Sequence, residues 1–497
     1  MTDQPTTPDP TRPDATTVNP IVSDATVTDS SAPMTTEPGV AEWVDQALAA
    51  AGDAECVVIV DETTQANLRW ANNALTTNGQ MHERSITVHV LAPVTGGTAV
   101  GSLSAPLVAT TDIAALVELA RASARSGEPA TDIAELISDG VDTDFASAAA
   151  TTSIQTLADF AVGLGALFDE FSASGDALFG FAEHHLTTTW VATSAGARRR
   201  HVQPMGRVEI NAKRAATNAS AWVGQSSADF TDIDLAGHAA ELRRRLGWAD
   251  TSIELPPGRY ETLLPPGAVA DLMIYAYWMM SAKDAAEGRT VWARKGDTST
   301  RIGERLSDLP LTLRSDPATP GLEQAPFAVA HSSISGDLSV FDNAAPVAGR
   351  AWISNGVLTD LIRSRGYAKA TGSHFAYGVE NLILDADGTA TLDDMIASTE
   401  RGLLLTCLWY IREVDPETLL LTGLTRDGVY LIENGQVVGA VNNFRFNESP
   451  VDLLARITEI GASEQTLCRE WNDWFTHTVM PPVRVPDFHM STVSQAT

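Results

Sequence analysis

The chain has 497 residues, with 33 Lys+Arg against 63 Asp+Glu and a formal net charge of −30. So acidic a surface repels phosphate backbones and argues against nucleic-acid binding. With 44% hydrophobic and 19% charged residues it has the composition of a globular protein with a real core, and at about 150 residues per domain its length points to two or three domains.

Residues 1–38 are Thr, Pro, Asp, Ser and Ala with almost no large apolar side chains, and are read as a disordered tail. "VAEWVDQALAAAG" has helical spacing and a terminal glycine. "ECVVIVDETT" follows as a strand, and "LRWANNALTTNGQMHERSITVHVLA" as strands around an Asn78-Gly79 turn. "GTAVGSLSA" adds a strand. "DIAALVELARASARSG" and "SIQTLADFAVGLGALFDEFSASG" read as helices. "ALFGFAEHHLTTTWVATSAGARRRHVQPMGRVEINAKR" reads as strands hinged at Ser194-Ala195-Gly196, and "DLAGHAAELRRRLGWAD" as a helix closing this half.

Pro256-Pro257-Gly258 is a candidate domain boundary, and "RYETLLP" a short strand before the second Pro-Pro-Gly at 265–267. "LMIYAYWMM", Leu272–Met280, reads as a helix apolar on every side. Beyond it the chain is strand-rich, with turns at Asn355-Gly356, Asp387-Gly388, Asp427-Gly428 and Asn434-Gly435. "GVYLIENGQVVGAVNNFRF" is a hairpin, and "SPVDLLARITEIG" a helix with Ser449 as N-cap and Gly461 after its end. The fold class is therefore α+β in two domains after the tail. An N-terminal α/β layer spans 39–255, and a strand-rich, β-barrel-like domain spans 256–497.

The three cysteines, Cys56, Cys407 and Cys468, lie far apart without zinc-type spacing, which fits a reducing compartment. No run reaches the roughly 18 apolar residues of a membrane helix, and no signal peptide is visible, so the expected place is the cytoplasm with no membrane contact. Neither GxGxxG, GxxxxGK[ST], GxSxG nor HExxH occurs. Glu183-His184-His185 is the densest histidine cluster, but on a strand its two imidazoles point to opposite faces. Arg198-Arg199-Arg200, followed by His201, is a basic patch that could hold a carboxylate or end a solvated strand. Cys468, among aromatics in an expected helix, reads as a small buried hydrophobe.

The segment "SVFDNAAPVAGRAWISNGVLTDLIRSRGYAKATG", the closing hairpin, the "TSAGARRR" turn and the terminal "MPPVRVPDFHMS" together resemble the TldD/PmbA (TldD/TldE) family over residues 40–495. The resemblance implies two kinds of subunit. TldD-type members carry HExxxH on a helix early in the C-terminal domain and a cysteine near the C-terminus, and act as zinc metallopeptidases. TldE/PmbA-type members lack the motif and pair with the TldD type. In the family the motif-bearing helix follows a P-x-x-A entry and a Leu, here Pro266-Gly267-Ala268-Val269 and Leu272, so the resemblance places it on "LMIYAYWMMSAKDA", without His, Glu or Cys, and "AAEGRTVWARKGDTSTRIGERL" also looks like the segment after it.

The resemblance thus implies a non-zinc subunit of a heteromeric peptidase acting on short or unfolded peptides, with no catalytic or metal residue of its own. Zinc would reside in a TldD-like partner, and the chain alone could homodimerise. Contacts to peptide or partner would fall to Tyr275, Tyr277, Trp278, Arg198, Arg199 and Arg200. The alternatives are an autonomous metallopeptidase using His184 or His185 with Cys468, and a non-catalytic peptide-binding or scaffold protein.

Overall fold

A pair of asparagines sets the first hairpin. Asn72 and Asn73 both take positive φ, 52° and 58°, a conformation asparagine tolerates better than most residues. The Asn73 side chain then locks the turn. Its amide donates to Ser172 Oγ and the Asp176 carbonyl, and its oxygen accepts the Leu178 N–H at 2.6 Å. The strands so joined are β1 (Cys56–Ala71) and β2 (Ala74–Val94). The expected Asn78-Gly79 turn is not one: both residues sit inside β2, opposite Leu68 and Asn67. The computed structural model describes residues 39–296, 299–333 and 336–494, so the expected tail at 1–38 lies outside the described residues.

With β3 (Gly97–Pro106), β4 (Asp176–Thr193), β5 (Arg198–Arg214) and β6 (Ala219–Ser226), these strands form a six-stranded antiparallel sheet in the order β3-β2-β1-β4-β5-β6. The β4–β5 turn falls at Ser194–Ala197, with Gly196 at φ 126°. One face of the sheet is covered by α1 (Val40–Ala51), α2 (Ile113–Ser126), α3 (Ala158–Ser174) and α4 (Leu235–Trp248). Asp112 and Asp234 cap α2 and α4 through the N–H groups of Ala115 and Gly237.

The rest is strand-rich. β7 (Ser252–Ile253) and β8 (Gly258–Leu264) join a ten-stranded sheet that also holds the long strand Val483–Val493. A further six-stranded sheet runs Val357–Leu358, Arg350–Ser354, Thr312–Ser315, Asn381–Asp385, His477–Met480, Glu464–Thr466. The α+β class expected from the sequence is the observed one. Between these two sheets lies α5 (Pro266–Trp278), at the centre of the largest apolar core.

The helix expected over 449–461 is capped by Ser449 but stops at Arg456. Ile457 turns extended and Thr458 donates to the Arg484 carbonyl, so Glu459–Ile460 pairs as a strand with Val483 and Arg484. The nearby strand offers hydrogen bonds that suit β-branched residues better than another helical turn.

Candidate functional site

Pro265 and Pro266 open α5, and proline is tolerated in the first turn because its missing N–H would have no partner there. The helix ends at Trp278, short of the full apolar run, and only Trp278 is strongly exposed, at 42%. Its one charged residue lies just before that run. Asp271 is fully buried and accepts the backbone N–H of Glu470 at 2.8 Å and of Arg469 at 3.3 Å. Its own carbonyl accepts the Trp471 indole N–H at 2.9 Å. Burial holds the Asp271 carboxyl well above the usual carboxylate range. Asp271 thus fastens the loop 467–476 onto α5.

Cys468 lies in that loop rather than in the expected helix. It is buried as expected, and its thiol donates to the Phe475 carbonyl at 3.3 Å. Burial raises its pKa strongly, with the neighbouring Asp271 adding to the effect, so it is a thiol and not a thiolate. Zinc takes three protein ligands plus an open position for water. Here the Asp271 oxygens are committed to backbone donors and Cys468 is protonated. Among the described residues no group of three or more His, Cys, Asp and Glu is placed to hold a metal ion. The residues around α5 do not fit zinc.

The aromatic candidates divide. Tyr277 is buried, and its hydroxyl donates to the Val379 carbonyl at 2.8 Å, so it faces the core and is closed to a ligand. Tyr275 is half-buried and packs on Trp471, with ring centroids 5.6 Å apart. Trp278 meets Trp471 edge-on at 5.2 Å and keeps one side in solvent. Helical spacing could not separate these, because the faces of an all-apolar helix are told apart only by what packs on them.

The arginine triplet is tied down by its own neighbours. Arg198 donates to the carbonyls of Thr193 and Ala197. Arg199 pairs with Asp142 at 3.2 Å, and Arg200 with Asp144 at 2.7 Å while lying over the Trp190 ring. His184 is buried, with its nitrogens engaged by Thr152 Oγ1 and the Ala228 carbonyl. His185 pairs with Glu183. These histidines sit on β4, and neither is joined to Cys468 in a ligand group.

Sequence reasoning missed a cleft of ≈ 550 Å³ at the N-terminal end of α5. Two sheet edges line it: β6 through Trp222–Ser226, and the edge strand Glu464–Thr466. The Gln465 amide donates across to Ser226 Oγ at 3.3 Å. Pro265-Pro266-Gly267, α4 through His238, Glu241, Arg244 and Arg245, and Thr391–Asp393 complete the wall. Only the second Pro-Pro-Gly hinted at it, since the other walls come from segments up to some hundreds of residues apart.

The sequence model described as PmbA/TldA metallopeptidase C-terminal domain matches residues 257–492. The fold is similar to the crystal structure of TldE from Thermococcus kodakarensis, with a TM-score of 0.71 and 15% identity over 90% of this chain and 98% of that one. It is also similar to a putative modulator of DNA gyrase from Thermotoga maritima, with a TM-score of 0.70 and 18% identity over 90% and 99%. A putative modulator of DNA gyrase from Bacteroides thetaiotaomicron gives 0.67 and 15% over 91% and 99%. No curated protein matches by sequence.

Proposed function

We propose, for a chain that belongs through residues 257–492 to the PmbA/TldD metallopeptidase family, the role of a TldE-like subunit that holds peptide while a TldD-like partner supplies zinc and hydrolysis. The observation that carries this reading is α5. Where the resemblance places a zinc helix, the chain has a buried apolar rod whose single carboxylate is spent on clamping its own loop. The likeness to a TldE structure supports the same assignment. For the peptide, the cleft between two sheet edges suits an extended segment, because edge strands offer main-chain hydrogen bonds to an added strand. Trp278 and the open side of Tyr275, backed by the buried Trp471, form the aromatic surface we assign to the partner.

The test is co-expression with a TldD-like protein, followed by co-purification, zinc analysis and peptidase assays on each subunit and the pair. The expected result is a stable complex with activity and zinc dependent on the partner. Stoichiometric zinc and metal-dependent peptidase activity in the isolated chain would overturn the assignment.

A further inference from the structure

The aromatic side chains that reach solvent are not scattered. Among the described residues the three that are strongly exposed are Trp278, Tyr410 and Trp474, at 42%, 52% and 66%, and all three lie around the C-terminal end of α5 and its clamped loop. Trp278 packs edge-on against Trp471, and the Trp474 N–H donates to the Trp471 carbonyl at 2.9 Å, so both tryptophans are anchored on Trp471. Glu470, from the same loop, accepts the N–H groups of Tyr410 at 2.8 Å and Ile411 at 3.0 Å, which fixes the strand Leu408–Asp415 beside them. Along that strand Tyr410, Arg412 and Val414 are exposed, and the Arg412 guanidinium lies 4.2 Å from the Tyr410 ring centre. Tryptophan and tyrosine held in solvent on a rigid core are the side chains that carry most binding energy once a partner covers them.

The patch has an acidic edge. Arg412 is spent on Glu470 at 3.2 Å, so the charges left on the strand are those of Glu413 and Asp415. Burial, and then the nearby Glu413 carboxylate, hold the Tyr275 phenol above its ordinary value, which sets this edge against the aromatic face of α5. Two features argue against a second copy of the chain as the occupant. Two copies would bring −30 onto −30 and, about a two-fold axis, turn the same acidic strand toward itself. The strand is also an edge of the ten-stranded sheet, but it is bulged between Trp409 and Arg412 and between Glu413 and Asp415, with Tyr410 at φ 52°. Such bulges oppose edge-to-edge pairing.

We propose that this face docks a different chain, one that presents an apolar pocket to Trp278 and Trp474 and places Lys or Arg side chains opposite Glu413 and Asp415. The inference rests on the heteromeric reading above and names the chemistry of the partner's surface. Recognition runs through side chains and not through an added strand. The tryptophans supply the binding energy, and the two carboxylates supply orientation and a salt-dependent capture rate.

The test measures calorimetric binding of the full chain to the TldD-like protein of the same genome at low and high salt, with light scattering of the chain alone. Trp474→Ala is expected to weaken binding about thirtyfold at both salts. Glu413→Lys combined with Asp415→Lys is expected to weaken it about tenfold at low salt and less than about twofold at high salt, with Glu413→Gln and Asp415→Asn in between. The Tm of each variant is measured alongside, so that a loss of fold is not read as a loss of binding. Affinity unmoved by both Trp474→Ala and Trp278→Ala would overturn the surface while the subunit reading stands. Affinity lost with Trp474→Ala but indifferent to charge reversal at low salt would overturn the cationic partner face. A dimer of the chain alone that Trp474→Ala dissociates would give the patch to a second copy and overturn the proposal. If the two proteins do not bind at either salt, the subunit reading fails and the docking proposal with it.

Discussion

Asp271 and Asp342 are buried carboxylates with opposite consequences for experiment. Asp271 satisfies two loop N–H groups, so Asp271→Ala would leave both unpaired in the core. The expected loss is about 3 kcal/mol, read as a fall in Tm and earlier proteolysis of the 467–476 loop. Asp342 accepts from the Arg365 N–H at 3.2 Å, yet burial pushes its carboxyl up to about 7. A folded-state pKa above the unfolded one favours the protonated fold. The stability this contributes is complete below about 4 and is lost as pH rises through about 7. Asp342→Asn should therefore raise Tm relative to the native chain more at pH 8 than at pH 5. An equal shift at both values would contradict the assignment. The placement of single polar residues inside apolar segments was not legible: neither Asp271 nor Cys468 carries a local sign that one clamps a loop and the other lies beside it.

At the scale of the element, the turns read at Asn355-Gly356 and Asn434-Gly435 stand where expected, each between paired strands, whereas the first hairpin was read from the right residue types at the wrong place. Asn72-Asn73 and Asn78-Gly79 compete within one stretch of alternating residues, and Asn-Gly is the stronger local signal. The outcome went to Asn73 because its side chain ties three partners from α3 and β4, which are remote in sequence. Asn73→Val, β-branched at φ 58°, should cost about 2 kcal/mol in chemical denaturation. Gly79→Thr should be near neutral, since an added Cβ meets Asn67 at an ordinary 3.5 Å. The reverse ranking would put the hairpin back at 78–79. Where period and cap agreed, as in α1, α2 and α4, the elements were legible in full. The helix after Ser449 was legible at its cap but not at its end, which a partner strand decided.

At the scale of the whole molecule, the two halves are joined by buried charge and by shared core. Arg207 on β5 bonds to Glu183 at 2.7 Å and to Asn472 and Asp473 of the α5 loop. Arg469 from that loop pairs with Glu209 at 2.8 Å and lies between the rings of Trp222 and Trp409. Val57, Ile59 and Val191 pack in one cluster with Phe327, Val340 and Phe341. Arg207→Ala takes away the guanidinium that neutralises Glu183, leaves it only Gln65 and His185, and should destabilise the fold by about 3 kcal/mol, seen as a lower Tm. We propose that the boundary near residue 255 is one of chain order. The fragment 39–255 alone should aggregate through its uncovered apolar face, and a soluble, cooperatively folding fragment would refute this. No helix among the described residues is long and apolar enough to cross a membrane.

By itself the sequence determined the α+β class, most helices with their caps, the apolar character of α5 and the family resemblance. These rest on periodicity, capping and composition, which act within a few residues. Only the tertiary structure decided which aromatic rings of α5 face solvent, that Asp271 and Cys468 serve the α5 loop, and that two sheet edges meet at a cleft. Each of these depends on contacts between segments far apart in the chain, and no local pattern encodes which distant partner will satisfy a buried polar group or leave one unmatched.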